Sequence, residues 1–296
     1  MPFLPLVFLL GLTACAAGTA ARQPAVPAAA AATSAAVPAE VAAPSVQLRG
    51  EFRQGELIVG RVPPGSRVRV LERNVRVAAD GTFVFGLDRD AAPEIVVDIV
   101  LPDGQVRQEK RAVAAREYNI QRVTGIPERI MRPSPADLER IARDNAQVAR
   151  ARRIDDDRLD FLGPFIWPAQ GPITGVFGSQ RFYNGEPKRP HFGVDVGVPT
   201  GTPVLAPAGG IVTVAAPDMF YSGGTLVIDH GHGVSSTLMH LSELLVREGE
   251  RVERGQLVAK SGASGRASGP HLDWRMNWFG EYIDAQRLVP PMPSEK

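Results

Sequence analysis

The amino-acid sequence predicts a mainly β protein: a small β-sandwich-like domain, a helical linker, and a larger C-terminal β-sheet domain. Three observations predict it. Across residues 46–115, short apolar or alternating runs such as ELIVGRV, RVRVL, TFVFG and EIVVDIVL are separated by turn signals. After Ser134 one stretch has the period of a helix. Residues 161–296 break again into short β patterns dense in glycine, GPITGVFG and GGTLVIDHGHGVSSTLMHL among them.

In the first β stretch, Asp80-Gly81 and Asp103-Gly104 suit tight turns because these residues tolerate positive φ. Residues 46–115 contain no cluster of His, Cys or acidic groups, so a scaffold or substrate-positioning role is expected of them. The linker is assigned to residues 116–160. Within it Ser134 caps a helix, Pro135 sits where a missing N–H costs nothing, and Asp137 favours the positive end. Leu138, Ile141, Ala142, Asn145, Val148 and Ala149 trace one stripe to about Arg153. Asp155-Asp156-Asp157 point in different directions as neighbours, and a solvated connection is expected there.

The chain has 296 residues, enough for two modest cores, and a formal net charge of +1. That balance argues against a nucleic-acid partner bound by charge alone. Apolar residues make up 44 % and charged residues 22 %, as in ordinary globular proteins.

Residues 1–14 read as an export signal, an apolar run too short to span a bilayer. Leu12-Thr13-Ala14-Cys15 resembles the bacterial lipobox, which implies a lipid on Cys15 and attachment to a membrane. The expected residence is the cell envelope, as a periplasm-facing lipoprotein of the outer membrane in a Gram-negative host. Cys15 is the chain's one cysteine, so no internal disulfide is expected. Residues 15–45 are rich in Ala and Pro with almost nothing large to bury, and read as a tether.

All five histidines fall between His191 and His271. HFGVD offers an imidazole and a carboxylate at His191 and Asp195, a pairing that suits zinc where the chain bends them together. His240 closes the run STLMH. In HLD, His271 and Asp273 share one face of an extended strand.

The order HFGVD, APAGGIV, GGTLVIDHGHG, MHL, SGASGRASGPHLDW closely resembles the LytM and lysostaphin-type zinc peptidases over about residues 165 to 289. The resemblance implies a zinc-dependent endopeptidase that cuts peptide cross-links in bacterial peptidoglycan. It implies zinc ligands at His191 and Asp195 and catalytic imidazoles at His240 and His271. The family's third ligand is the second histidine of a His-x-His pair, where this chain has Asp273.

Zinc accepts carboxylate oxygen at about 2.0–2.2 Å. Aspartate reaches as far as histidine Nδ1, but falls short of Nε2 by roughly 1–2 Å, beyond the metal-bond tolerance of about 0.2 Å without backbone movement. A His, Asp, Asp set with Zn²⁺ has formal charge zero rather than +1. Slower hydrolysis than in an Asp273→His variant is therefore expected. The competing expectation is a degenerate relative that activates a separate cell-wall amidase, although such regulators usually lack several site residues.

His230-Gly231-His232 also has His-x-His spacing, but its glycines predict a hairpin turn. SGASGRASG lacks the Lys-Ser or Lys-Thr of a phosphate loop and reads as a mobile loop beside the site. Arg181 is a candidate for pairing with a substrate carboxylate. Tyr183 and Trp274 are candidates for packing along the peptide, with a core role equally open for Trp274.

Overall fold

In the computed structural model, which describes residues 45–124, 134–183 and 185–293, the fold is mainly β. The signal, Cys15 and nearly all of the tether lie outside the described residues, as does the Tyr183 side chain. The described residues belong to one compact unit. No helix among them is long and apolar enough to cross a membrane.

The N-terminal part is built from β1 (Gln47–Arg49), β2 (Leu57–Arg61), β3 (Arg67–Val70), β4 (Arg73–Val75), β5 (Thr82–Gly86), β6 (Glu94–Val100) and β7 (Val106–Ala112). They form two antiparallel sheets, ordered β1-β2-β5 and β4-β3-β6-β7. The alternation along EIVVDIV is expressed directly: Ile95, Val97 and Ile99 are buried while Glu94, Val96, Asp98 and Val100 are less so. Gly81 and Gly104 take φ of 89° and 86° at the two predicted turns, a region costly for residues with a Cβ.

After β8 (Ile120–Val123) comes α1 (Pro135–Ala151). Ser134 and Asp137 form a reciprocal capping box at its start. The predicted stripe is only partly covered. Leu138 is 52 % exposed, and Ala142, Asn145 and Ala149 are exposed too, while Val148 and Ala151 pack on Val214, Met219 and Val227. The cause is a chamber under this face, bordered by Ile141, Asn145 and Ala149 where a dry core was expected.

The C-terminal part comprises β9 (Ile173–Gly175), β10 (Gln180–Tyr183), β11 (Glu186–Pro187), β12 (Val194–Val196), β13 (Pro203–Leu205), β14 (Gly210–Met219), β15 (Gly223–Asp229) and β16 (Val234–Leu241). It continues with β17 (Glu243–Leu244), β18 (Arg251–Val252), β19 (Leu257–Lys260), β20 (Leu272–Trp278) and β21 (Glu281–Ile283). The central sheet runs β18-β14-β15-β16-β20-β12-β9, with β21 on β20. Every residue of β15 and β16 is buried. Leu226 and Ile228 enter the main core, and Val227, between them, faces α1.

The main core is continuous with that of the N-terminal sheets. A Cβ at Gly86 would lie 2.6 Å from Ile283 Cδ1, so β5 packs closely against the C-terminal part. Arg116 pairs with the buried Asp284 at 2.8 Å, and Arg287 with the buried Glu56 at 2.6 Å. These pairs leave few buried charges unmatched where the two parts meet.

Candidate metal centre

Sheet register brings the candidate ligands together. Asp195 of β12 is the cross-strand partner of Asp273 of β20, so two carboxylates lie side by side on one face. His191, four residues before Asp195, brings its Nε2 to 3.2 Å from Asp195 Oδ1. The three residues can each offer a ligand atom within 4.8 Å of the others.

Two glycines make room for the carboxylates. A Cβ at Gly175 would sit 2.1 Å from Asp195 Oδ2, and one at Gly193 would sit 2.3 Å from Asp273 Oδ1. Bonds of 2.0–2.2 Å place the ligand atoms of tetrahedral zinc about 3.3 Å apart. The His191–Asp195 separation already matches that edge. His191 Nε2 and Asp195 Oδ1 are buried without hydrogen-bond partners, as atoms awaiting a cation would be. The residues present therefore fit a zinc ion.

The two remaining imidazoles flank this cluster. Their ring centroids are 4.6 Å apart, and His271 Nε2 lies 3.8 Å from Asp195 Oδ1. His240 ends the strand alternation with φ of 62°, an uncommon conformation for a residue with a Cβ. Its Nδ1 donates to the Ser264 carbonyl at 2.8 Å, and His271 Nδ1 donates to the Gly269 carbonyl at 2.8 Å. A carbonyl only accepts, so Nδ1 carries the proton in both rings and the lone pair is on Nε2. Burial, partly opposed by the Ser264 hydrogen bond, holds His240 below its ordinary pKa.

Electrostatics holds Asp273 ionised. Burial works against a charged Asp273, but the Arg275 guanidinium and His191 more than offset it, so its carboxyl stays below the usual range. Arg275 donates through Nη2 at 2.6 Å to Oδ2 and through Nε at 3.1 Å to Oδ1. This changes the expected charge: adding Arg275 to the His, Asp, Asp set returns the total to +1 with Zn²⁺. Alternation along LDWRM places Arg275 on the face of Asp273, a signal present in the sequence and missed.

Other predicted groups fall elsewhere. Arg181 is exposed on β10, where its Nε donates to Gln121 at 3.2 Å, and no described contact ties it to the cluster. Trp274 is fully buried against Trp167, which settles it as core. His230-Gly231-His232 is the turn between β15 and β16. The SGASGRASG loop does lie at the site, and its contribution is the Ser264 and Gly269 carbonyls.

The sequence profile described as "Peptidase family M23" matches residues 189–285, the segment that carries all five of these groups. Residues 189–285 are a peptidase family M23 domain. A crystal structure of a candidate peptidase M23 from Pseudomonas aeruginosa has a TM-score of 0.63 at 28 % identity, over 81 % of this chain and 96 % of that one. The M23 domain and the β sheets before it thus share one architecture with a solved protein.

Among named relatives, the peptidoglycan DD-endopeptidase ShyA of Vibrio cholerae is 39 % identical over 105 residues, 36 % of this chain and 24 % of that protein. A lipoprotein NlpD/LppB homolog of Pseudomonas aeruginosa is 36 % identical over 129 residues, 44 % of this chain and 41 % of that protein. The matched M23 segment thus spans about a quarter of the first relative and under half of the second.

Proposed function

We propose that this protein is a zinc-dependent endopeptidase that hydrolyses peptide cross-links in peptidoglycan. One observation carries the proposal: His191, Asp195 and Asp273 converge beside two imidazoles that each spend Nδ1 on a backbone carbonyl. The endopeptidase name of the Vibrio cholerae relative supports the substrate. The lipoprotein name of the Pseudomonas aeruginosa relative supports a place in the cell envelope, with Cys15 as the anchor.

His191, Asp195 and Asp273 would hold the zinc, with Arg275 fixing the Asp273 carboxylate. When bound, zinc supplies Lewis-acid polarisation of the scissile carbonyl and makes a nearby water more acidic. His240 and His271, each holding its Nδ1 proton on a backbone carbonyl, then divide the proton work. One Nε2 takes the proton from the attacking water. The resulting imidazolium, still held by its backbone carbonyl, gives a proton to the leaving amine or stabilises the oxyanion. The wall of strands β12, β16 and β20 holds these groups rigidly, which limits reorganisation during the step.

A second reading is a non-catalytic activator of a wall amidase, and the Arg275 grip on Asp273 is its one support. The deciding experiment measures bound zinc in protein purified without chelator, alongside release of peptide from purified sacculi. One equivalent of zinc, lost in Asp273→Ala together with digestion, is the expected result. A parent chain that binds no added zinc would remove the endopeptidase and leave the activator.

A further inference from the structure

Several arginines of the described surface are tied to carboxylates: Arg76 to Asp155, Arg140 to Asp218, Arg251 to Asp160 and Arg287 to Glu56. Five arginines around one chamber are not. This chamber, about 650 Å³ in volume, lies between α1 and the central sheet and reaches His240. Arg73, Arg152, Arg153, Arg189 and Arg266 line it, and none of them forms an ion pair among the described residues. Asp144 is the one carboxylate in its described wall, and it already accepts from the Phe220 N–H at 2.7 Å. A sixth lining cation, Arg275, is committed to Asp273.

Four of the five are held by rings instead of by acids. Arg73 lies 3.9 Å from the Phe279 centroid and Arg266 lies 4.3 Å from that of Tyr221. Arg152 and Arg189 sit 5.3 and 5.4 Å from the Tyr282 centroid, and both donate to its phenolic oxygen. An aromatic ring orients a guanidinium without neutralising it, so the charge remains available to a ligand. Arg152 adds a second sign of incompleteness: its Nε is buried with no hydrogen-bond partner. Unneutralised cations lining a concave site focus the field and match the planar fork of a carboxylate.

We propose that this chamber binds a carboxylate-bearing stretch of the substrate peptide on the His240 side of the scissile bond. The proposal rests on the peptidase reading above and adds the acidic character of the peptide that the cleft selects. Thr237 and Met239 of β16 line the chamber with His240, so a peptide extending past the imidazoles along this strand enters it directly. Phosphate-bearing ligands share the anionic chemistry, but the chamber's continuity with a peptide-bond site favours a peptide.

The test is anisotropy titration of the full chain with fluorescein-labelled Ala-Glu-Glu-Ala and with its Ala-Gln-Gln-Ala analogue. The parent is expected to prefer the acidic peptide by about tenfold, the worth of one charge-assisted hydrogen bond pair. Arg153→Gln combined with Arg266→Gln replaces two exposed side chains and keeps the core intact. It should cut the preference by about threefold or more, and rising salt should cut it further. Bound zinc should not change. Equal affinity of the parent for the two peptides, a preference untouched in the double variant, or displacement by inorganic phosphate as readily as by the acidic peptide would overturn the proposal. Digestion of sacculi is scored separately, so a protein that prefers the acidic peptide but releases nothing loses the peptidase reading and keeps the binding site.

Discussion

His230-Gly231-His232 has the His-x-His spelling of a ligand pair, whereas His271-Leu272-Asp273 does not. In the first, His230 has spent both ring nitrogens: Nδ1 on the Gly209 carbonyl and Nε2 on Ser236 Oγ, each at 2.6 Å. His232 packs its ring 5.2 Å from that of Phe161 and belongs to no metal-competent group among the described residues. In the second, His271 has spent only Nδ1, and Asp273 lies across from Asp195. What marks a chemical site is the set of unspent lone pairs that converge from separate strands. The spelling of the motif is secondary.

The most severe way to break this contrast is to delete one ring from each class. His240→Ala and His271→Ala should each lower the rate of cross-link hydrolysis by about 10²–10⁴-fold while retaining zinc, as expected for lost acid–base catalysis. His230→Ala should instead lower stability and leave the rate per folded chain unchanged. Kinetics with each variant, normalised to its folded fraction, would expose a misassigned ring.

A second test uses pH. Burial pushes His230 down to about 4 from an ordinary 6.5, with the Gly209 hydrogen bond resisting the shift. The unfolded chain therefore takes up this proton first as pH falls. The stability linked to a neutral His230 is fully present above pH 6.5 and is lost between 6.5 and 4, by about 3 kcal/mol in all. Asp229 beside it works the other way, raised to about 7 mainly by burial. Comparing urea unfolding of the parent and His230→Asn across this range isolates the histidine. The two curves should converge as pH falls. Parallel curves would show that His230 is not buried as a neutral ring.

Asp273→His restores the family's spelling and separates sequence logic from structural logic. Charge counting on the ligands alone predicts a better site. The structure predicts a worse one, because Arg275, whose Nη2 is 2.6 Å from Asp273 Oδ2, would lose its carboxylate and face Zn²⁺. Zinc affinity in chelator competition should fall by about tenfold, the lower end of what outer partners of metal ligands contribute. Replacing Arg275 by Gln as well should recover most of that loss. Tighter zinc binding in Asp273→His alone would mean that Arg275 does not act with Asp273.

The linear order of HFGVD, MHL and HLD made the cluster legible, because each run ends or begins a strand and strand ends share one rim of the sheet. The helix was legible too, through Ser134, Pro135 and Asp137. Its covered face was not: periodicity reports that Ile141, Val148 and Ala149 align, but not whether they meet a core or a chamber. The same limit hid the basic chamber. Arg73 comes from β4, Arg152 from the end of α1, Arg189 from the approach to His191 and Arg266 from the glycine loop, and only the fold places them together. The Ser264 and Gly269 carbonyls were invisible for a different reason, since every residue has one and only geometry selects the acceptor.

The smallest expected effect belongs to Arg181, chosen from sequence for its charge and its place before His191. Its surroundings are those of an ordinary surface arginine: it is exposed, and its Nε reaches the Gln121 side chain at 3.2 Å. A neutral hydrogen-bond acceptor on an exposed surface adds little, because water replaces it at nearly equal strength. Arg181→Ala should change stability by less than about 0.5 kcal/mol, in line with surface substitutions, and leave hydrolysis unaltered. Arg266 of the chamber carries the same charge with no ion-pair partner among the described residues and the Tyr221 ring beneath it, so Arg266→Gln should weaken acidic-peptide binding where Arg181→Ala does not. If the two variants lose affinity equally, net charge governs recognition and the chamber has no special part in it.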